Sequence, residues 1–207
     1  MSLLVATPRI TLRGRELLAL PSLEVAAGEV VTVMGASGSG KSTLLAFVSG
    51  ALDPAFQASG RVVLEGKDIT ALPAHRRRIG ILFQDDLLFP HLSVAENLSF
   101  GLPPGIPDRA ARIEAALAEA ELPGFGARDP ATLSGGQRAR IALLRTLLAQ
   151  PRALLLDEPF GKLDVALRGR IRAFVFDRAR RLGLPVLMVT HDPEDADGAG
   201  GRVITLG

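Results

Sequence analysis

The sequence predicts an α/β chain with a mostly parallel sheet, short antiparallel strands ahead of it and a helical stretch inserted between its strands. Three observations carry this reading. Val30-Val31-Thr32-Val33-Met34, Ala153-Leu154-Leu155-Leu156 and Val186-Leu187-Met188-Val189 are short apolar runs that each give way to polar residues. Runs of this kind fit strands buried on both faces of a parallel sheet. Ile10-Thr11-Leu12 and Leu23-Glu24-Val25, punctuated by Gly14 and Ala27-Gly28, read as short antiparallel strands, and Arg61-Val62-Val63-Leu64 before Glu65-Gly66 reads like them. Residues 86–131 hold no strand-like run. They hold a loop rich in proline and glycine (Pro103, Pro104, Gly105, Pro107), and a helical stretch opens at Asp108 with Ile113, Leu117 and Ala120 on one face. The expected organisation is one domain, with residues 1–84 and 147–207 as the core and residues 85–146 as a helical subdomain.

Composition excludes several classes. Hydrophobic residues make up 47% of the chain, yet no run approaches the ~18 apolar residues of a membrane span. The opening Met1-Ser2-Leu3-Leu4-Val5 lacks the charged start of a signal peptide, so the cytosol is the expected compartment. The absence of cysteine removes disulfides and thiolate chemistry, and no stretch has metal-ligand spacing of His and Cys. The isoelectric point of 9.6 accompanies a net charge of only +2. With no Tyr or Cys and lysine only at 41, 67 and 162, little titrates between histidine and arginine. The high value is therefore no nucleic-acid footprint, and Arg76-Arg77-Arg78 is expected to form a solvated face.

The strand ends carry the chemistry. Gly35-Ala36-Ser37-Gly38-Ser39-Gly40-Lys41-Ser42 matches G-x-x-x-x-G-K-S, between a predicted strand and a predicted helix over Ser42–Ser49 that includes Thr43. Glycines let amides curl around an anion, and the helix start adds partial positive charge. Lys41 can neutralise β- and γ-phosphates, and the Ser42 hydroxyl can bind Mg²⁺. The fold expected is a P-loop NTPase (RecA-like) core binding ATP. Asp157-Glu158 closes the most apolar strand, where an acidic pair needs a cation or water. Asp157 is the candidate Mg²⁺ ligand and Glu158 the group that polarises the attacking water. Leu133-Ser134-Gly135-Gly136-Gln137-Arg138 leads into a helical stretch, Arg138–Leu148, as a second glycine-rich helix start without a lysine.

With these motifs in order the chain resembles the ATP-binding subunit of ATP-binding-cassette (ABC) transporters, over essentially its whole length. The resemblance rests on the phosphate loop, Gln84, the Leu-Ser-Gly-Gly-Gln signature, the Leu154-Leu155-Leu156-Asp157-Glu158 strand end, Gly161-Lys162-Leu163-Asp164 and His191. It implies a second copy as partner. Ser134, Gly135, Gly136 and Gln137 of one copy would cap the γ-phosphate held by the other, and Asp164 would cross between copies. It further implies that Gln84 senses Mg²⁺ and the attacking water, and that His191 contacts the γ-phosphate. Where the family stacks an aromatic on adenine this chain has Leu12-Arg13-Gly14, so Arg13 is the candidate base-stacking group and weak base discrimination is expected. Gly161 stands where the family usually has Ser.

The run Gln84-Asp85-Asp86-Leu87-Leu88-Phe89-Pro90-His91-Leu92-Ser93 is similar to that of bacterial binding-protein-dependent importers of the thiamine, iron(III) and spermidine/putrescine group. The resemblance implies transmembrane permease subunits, a periplasmic solute-binding protein and a peripheral position on the cytoplasmic side of the inner membrane. It also implies a short form without a C-terminal regulatory domain. An export or lipoprotein-release ATPase and a soluble cassette ATPase are the alternatives. No heptad pattern or second cassette supports the latter, and no nucleic-acid partner is expected.

Overall fold

In the computed structural model, which describes residues 1–163 and 165–206, the chain forms two five-stranded sheets and a helical unit. The first strands are β1 (Leu3–Leu12), β2 (Arg15–Ala19) and β3 (Leu23–Val25). The tight turn at Arg13 and Gly14, both with positive φ, folds β2 back on β1. β1 also pairs antiparallel with β3 and with β5 (Phe56–Leu64), and β5 pairs with β6 (Lys67–Asp68). The sequence signal showed only parts of this sheet. β1 begins at Leu3 and β5 at Phe56, well before the apolar stretches at Ile10 and Arg61; a register shift between Ala6 and Arg9 interrupts β1, and the exposed residues 57–59 of β5 carry no alternating pattern.

The second sheet contains β4 (Val30–Met34), β7 (Ile79–Leu82), β8 (Ala153–Asp157), β9 (Val186–Thr190) and β10 (Arg202–Thr205). All pairs are parallel, in the order β10-β4-β9-β8-β7. The unbroken apolar runs follow from burial on both faces. Leu155, Leu187 and Val189 join the cluster beneath the antiparallel sheet and α1 (Lys41–Ser49). Leu154, Leu156, Val186 and Met188 join a second cluster under α4 (Gly135–Leu148) and α5 (Val165–Arg181). The twofold strand period thus assigns alternate residues of one run to two cores.

A third cluster holds α2 (Val94–Gly101), α3 (Arg109–Glu119) and one face of α4, through Leu98, Leu117, Ile141 and Leu144. The next face of α4, with Ala142, Leu143 and Leu147, belongs to the second cluster, so this helix is shared between the inserted unit and the sheet. α2 opens with a reciprocal capping box between Ser93 and Glu96. α6 (Pro193–Ala199) completes the fold after β9.

Arg76-Arg77-Arg78 departs from the expected solvated face. Arg76 and Arg78 are exposed, but Arg77 is 6% exposed. Its guanidinium donates to Phe47 O and Val48 O at 2.8 Å each, in the last turn of α1, and to Leu72 O and Thr70 O. A cation here satisfies helix-end carbonyls that have no partner within the helix. Burial lowers its pKa, with Asp68 opposing. We expect Arg77→Ala to lower the unfolding free energy by roughly 3 kcal/mol, since several charge-assisted bonds go at once. Arg76→Ala should change it by less than about 0.5 kcal/mol. Urea denaturation of the nucleotide-free chain measures both.

Candidate functional site

Parallel order brings the ends of β4, β9 and β8 side by side, and the predicted chemistry sits on those ends. The loop Gly35–Gly40 follows β4 and opens α1. Gly40 is the residue before the helix, with φ 87°, and a Cβ there would also press on Leu17 and Leu18 of β2 at 3.2–3.3 Å. Only glycine combines that backbone with that contact. Lys41 is 5% exposed. Its ammonium donates to Gly35 O and Ala36 O at 2.8 Å each, and lies 3.9 Å from Glu158 Oε1. Gly38 and Ser37 are exposed at the loop tip, and Ser39 Oγ is buried without a hydrogen-bond partner.

Ser42 Oγ donates to Asp157 Oδ1 at 3.0 Å. Burial raises the Asp157 pKa; the Ser42 hydrogen bond and Lys41 pull it down, and the Glu158 charge pushes it further up. Glu158 has φ 47°, a left-handed backbone that costs a non-glycine residue about 1 kcal/mol or more. Its amide donates to Val189 O and its carbonyl accepts from the Gly161 amide. Its Oε2 lies 3.0 Å from His191 Nδ1. Lys41, Ser42, Asp157, Glu158 and His191 therefore form one cluster, with two carboxylates against one lysine. That imbalance, the orphaned Ser39 hydroxyl and the Ser42–Asp157 pair fit a divalent cation and a phosphate chain.

Gln84 is exposed just past β7. Its Nε2 lies 3.0 Å from where a Cβ on Gly161 would stand. The glycine at 161 therefore leaves room for Gln84, a feature the sequence showed only as a missing hydroxyl. Two ion pairs bind the segment after Gln84: Lys162 to Asp85, and Arg138 to Asp86 at 2.9 Å. Neither was legible, because partners lie 77 and 52 residues apart.

The second glycine-rich start lies within α4, whose helix begins at Gly135, three residues earlier than the apolar pattern indicates. Ser134 and Gln137 form a reciprocal capping box, so Gln137 is committed to the Ser134 amide at 2.9 Å. Gly135 is exposed, whereas Gly136 is buried, and a Cβ on it would fall 2.0 Å from Leu167 Cδ2. Among the described residues no hydrogen bond or ion pair joins 134–137 to the phosphate loop of the same chain. Arg13 is exposed on the β1–β2 turn, and among the described residues no hydrogen bond or ion pair joins it to the cluster. Asp164 lies outside the described residues, and Thr43 is half-buried in the first turn of α1.

The sequence profile described as "ABC transporter" matches residues 18–161. The chain belongs to the ABC transporter family. It is accordingly an ATP-binding, ATP-hydrolysing chain with a P-loop NTPase fold. It is 54% identical over 170 residues to the uncharacterized ABC transporter ATP-binding protein YnjD of Escherichia coli, covering 81% of this chain and 78% of that one. It is 47% identical over 184 residues to the thiamine import ATP-binding protein ThiQ of Cereibacter sphaeroides (87% and 78%). It is 42% identical over 188 residues to the Fe(3+) ions import ATP-binding protein FbpC 1 of Rhizobium meliloti (89% and 52%). The chain thus spans about half the length of the iron relative. No helix among the described residues is long and apolar enough to cross a membrane.

The raised Asp157 pKa has a signed consequence. A carboxyl whose folded pKa exceeds its unfolded 3.8 binds protons more readily when folded, so its contribution to stability falls as pH rises through that window. We expect Asp157→Asn to stabilise the nucleotide-free chain at neutral pH, with a gain that shrinks as pH falls toward 4, and to abolish Mg²⁺-dependent stabilisation by ATP. Thermal melts across pH, with and without Mg-ATP, test both.

Proposed function

We infer that this chain energises solute import, working as a pair of copies that clasp two ATP molecules and drive permease subunits in the membrane. The observation that carries the paired arrangement is the exposed, capped helix start at Ser134-Gly135, which has the form of an anion site yet touches no phosphate loop in its own chain. The import reading draws on the import ATP-binding proteins to which the chain is similar.

In this reading Lys41 and the amides of the Gly35–Gly40 loop hold the β- and γ-phosphates, with Ser37, Ser39 and Thr43 around them. Ser42, Asp157 and Gln84 would hold Mg²⁺, which supplies charge stabilisation to the phosphates when bound. Glu158 accepts the proton of the attacking water, and its left-handed backbone aims the carboxylate between Lys41 and His191. His191, held on Glu158 through Nδ1, meets the γ-phosphate with its other ring nitrogen. Across the interface, Ser134 and the Gly135 and Gly136 amides cap the partner's γ-phosphate. The Ser134 hydroxyl accepts from the Gln137 amide and keeps its own proton for that oxygen. Asp164 crosses between the copies, and Arg13 lies over the base through its guanidinium plane.

The permease surface is an apolar groove of about 480 Å³ lined by Ile81, Phe83, Leu87, Phe89, Phe100 and Arg145. Phe100 is 71% exposed and Leu87 55%, an unusual loss of apolar burial for a surface that stays in water. An amphipathic permease helix would fill it. A periplasmic binding protein would deliver the solute from the far side, with this chain peripheral on the cytoplasmic face, where ATP is.

Glu158→Gln should leave ATP binding intact, reduce turnover at least about 100-fold and accumulate an ATP-bound dimer on sizing columns with Mg-ATP. Ser134→Arg should abolish hydrolysis while ATP affinity stays within about twofold, since the substituted side chain blocks the partner's phosphate. Equal loss of binding and turnover in Ser134→Arg would place the signature on its own chain's nucleotide. A Glu158→Gln chain that stays monomeric with ATP would overturn the self-assembled pair.

A further inference from the structure

His191 is 57% exposed, so burial does not hold it in place. Its position depends on the backbone beside it, and one residue controls that backbone. Asp192 uses both carboxylate oxygens. Oδ1 accepts from the Glu194 amide at 2.9 Å and caps α6. Oδ2 accepts from Arg168 Nη1 on α5. The Asp192 amide donates to Thr190 Oγ1 at 3.0 Å, closing the turn around His191. One helical turn along α5, Arg172 donates to Glu194 O and lies 3.4 Å from the buried Asp195 carboxylate.

Arg168 makes this contact under constraint. Its side chain is 19% exposed, and its Nε is buried without an acceptor. A surface arginine free to choose would turn that group to water. The packing instead spends one N–H to aim the other end of the guanidinium at Asp192. Arg168 also lies in the first turn of α5, which follows directly on the segment carrying Gly161 beside Gln84.

We propose that Arg168 is a positioning residue for hydrolysis: through Asp192 it holds His191 on Glu158 and ties that contact to the start of α5. A shift of the segment before α5 then moves Arg168, and with it the His191 ring, without any change in the phosphate loop. The proposal rests on the reading of Glu158 and His191 given above. Arg168 itself touches no reacting atom. Its removal misplaces His191 after ATP is bound, so it lowers the chemical step and spares affinity.

Two measurements on the full chain test this. In ¹⁵N-histidine spectra, with only His75, His91 and His191 to resolve, the His191 ring signals should move in Arg168→Ala and in Asp192→Asn, which keeps a capping acceptor but loses the charge. Steady-state hydrolysis of Mg-ATP should show kcat reduced roughly 10- to 100-fold, the scale of an ångström of misplacement, with KM within about twofold. Arg168→Lys, which keeps a donor toward Asp192, should recover most of the kcat. Unmoved His191 signals in either folded variant overturn the proposal, as does a loss of turnover that scales with KM. Should Arg168→Ala fail to fold, Asp192→Asn decides alone. If the wild-type chain turns over no faster than Glu158→Gln, the hydrolytic assignment of Glu158 fails, while the histidine spectra still decide whether Arg168 positions His191.

Discussion

Lys41 carries its charge at a position 5% exposed, and a buried ammonium is tolerable only when its protons find acceptors and an opposite charge stands near. Two acceptors are the Gly35 and Ala36 carbonyls, which face inward only because the loop curls back on its own helix. That curl requires the left-handed Gly40. The nearby charge is Glu158, just past the end of β8, while the loop follows β4. β9 lies between those strands, so His191 at its end reaches Glu158 as well. The strand order thus brings Lys41, Glu158 and His191 together, and two carboxylates beside a single lysine leave the site with an excess of negative charge.

The site was more legible in the sequence than its surroundings were. The phosphate loop, Asp157-Glu158 and His191 each sit at the end of an apolar run, and both burial on two faces and the turn chemistry leave marks in contiguous residues. The antiparallel sheet was half legible, because β2 and the outer part of β5 are exposed and lack alternation. Arg77 was misread as solvent-facing for a different reason. A run of three arginines has the same appearance whether water or helix-end carbonyls receive the protons, and those carbonyls lie about thirty residues away in the chain. Asp192 caps α6 ahead of Pro193, and its second oxygen answers to Arg168, 24 residues earlier, a pairing with no local mark in the sequence.

The arginine excess now has a structural account. Arg77, Arg109, Arg138, Arg140 and Arg145 all donate to backbone carbonyls at helix ends or in loops. A planar group with five donors can close several such positions at once, which lysine cannot. Much of the arginine behind the high isoelectric point is thus engaged in internal fastening. Arg138 and Arg145 fasten the run after Gln84 and the start of α4, and Arg168 holds the loop beside His191.

These fastenings also divide the site into two linked parts. Asp85 and Asp86, next to Gln84, line the apolar groove, and Arg138 joins Asp86 to the start of α4, where Ser134 and Gly135 are presented. Gly136 packs on Leu167, one residue from Arg168, so the helix that offers the signature rests on the helix that holds His191. Because Gly136 has no Cβ, that contact is close enough that neither helix can shift far without the other. A force on the groove therefore has a contiguous route, through packed atoms and ion pairs, to both the signature and the His191–Glu158 contact. Whether a helix fills the groove and whether a γ-phosphate occupies the site become related questions within one chain.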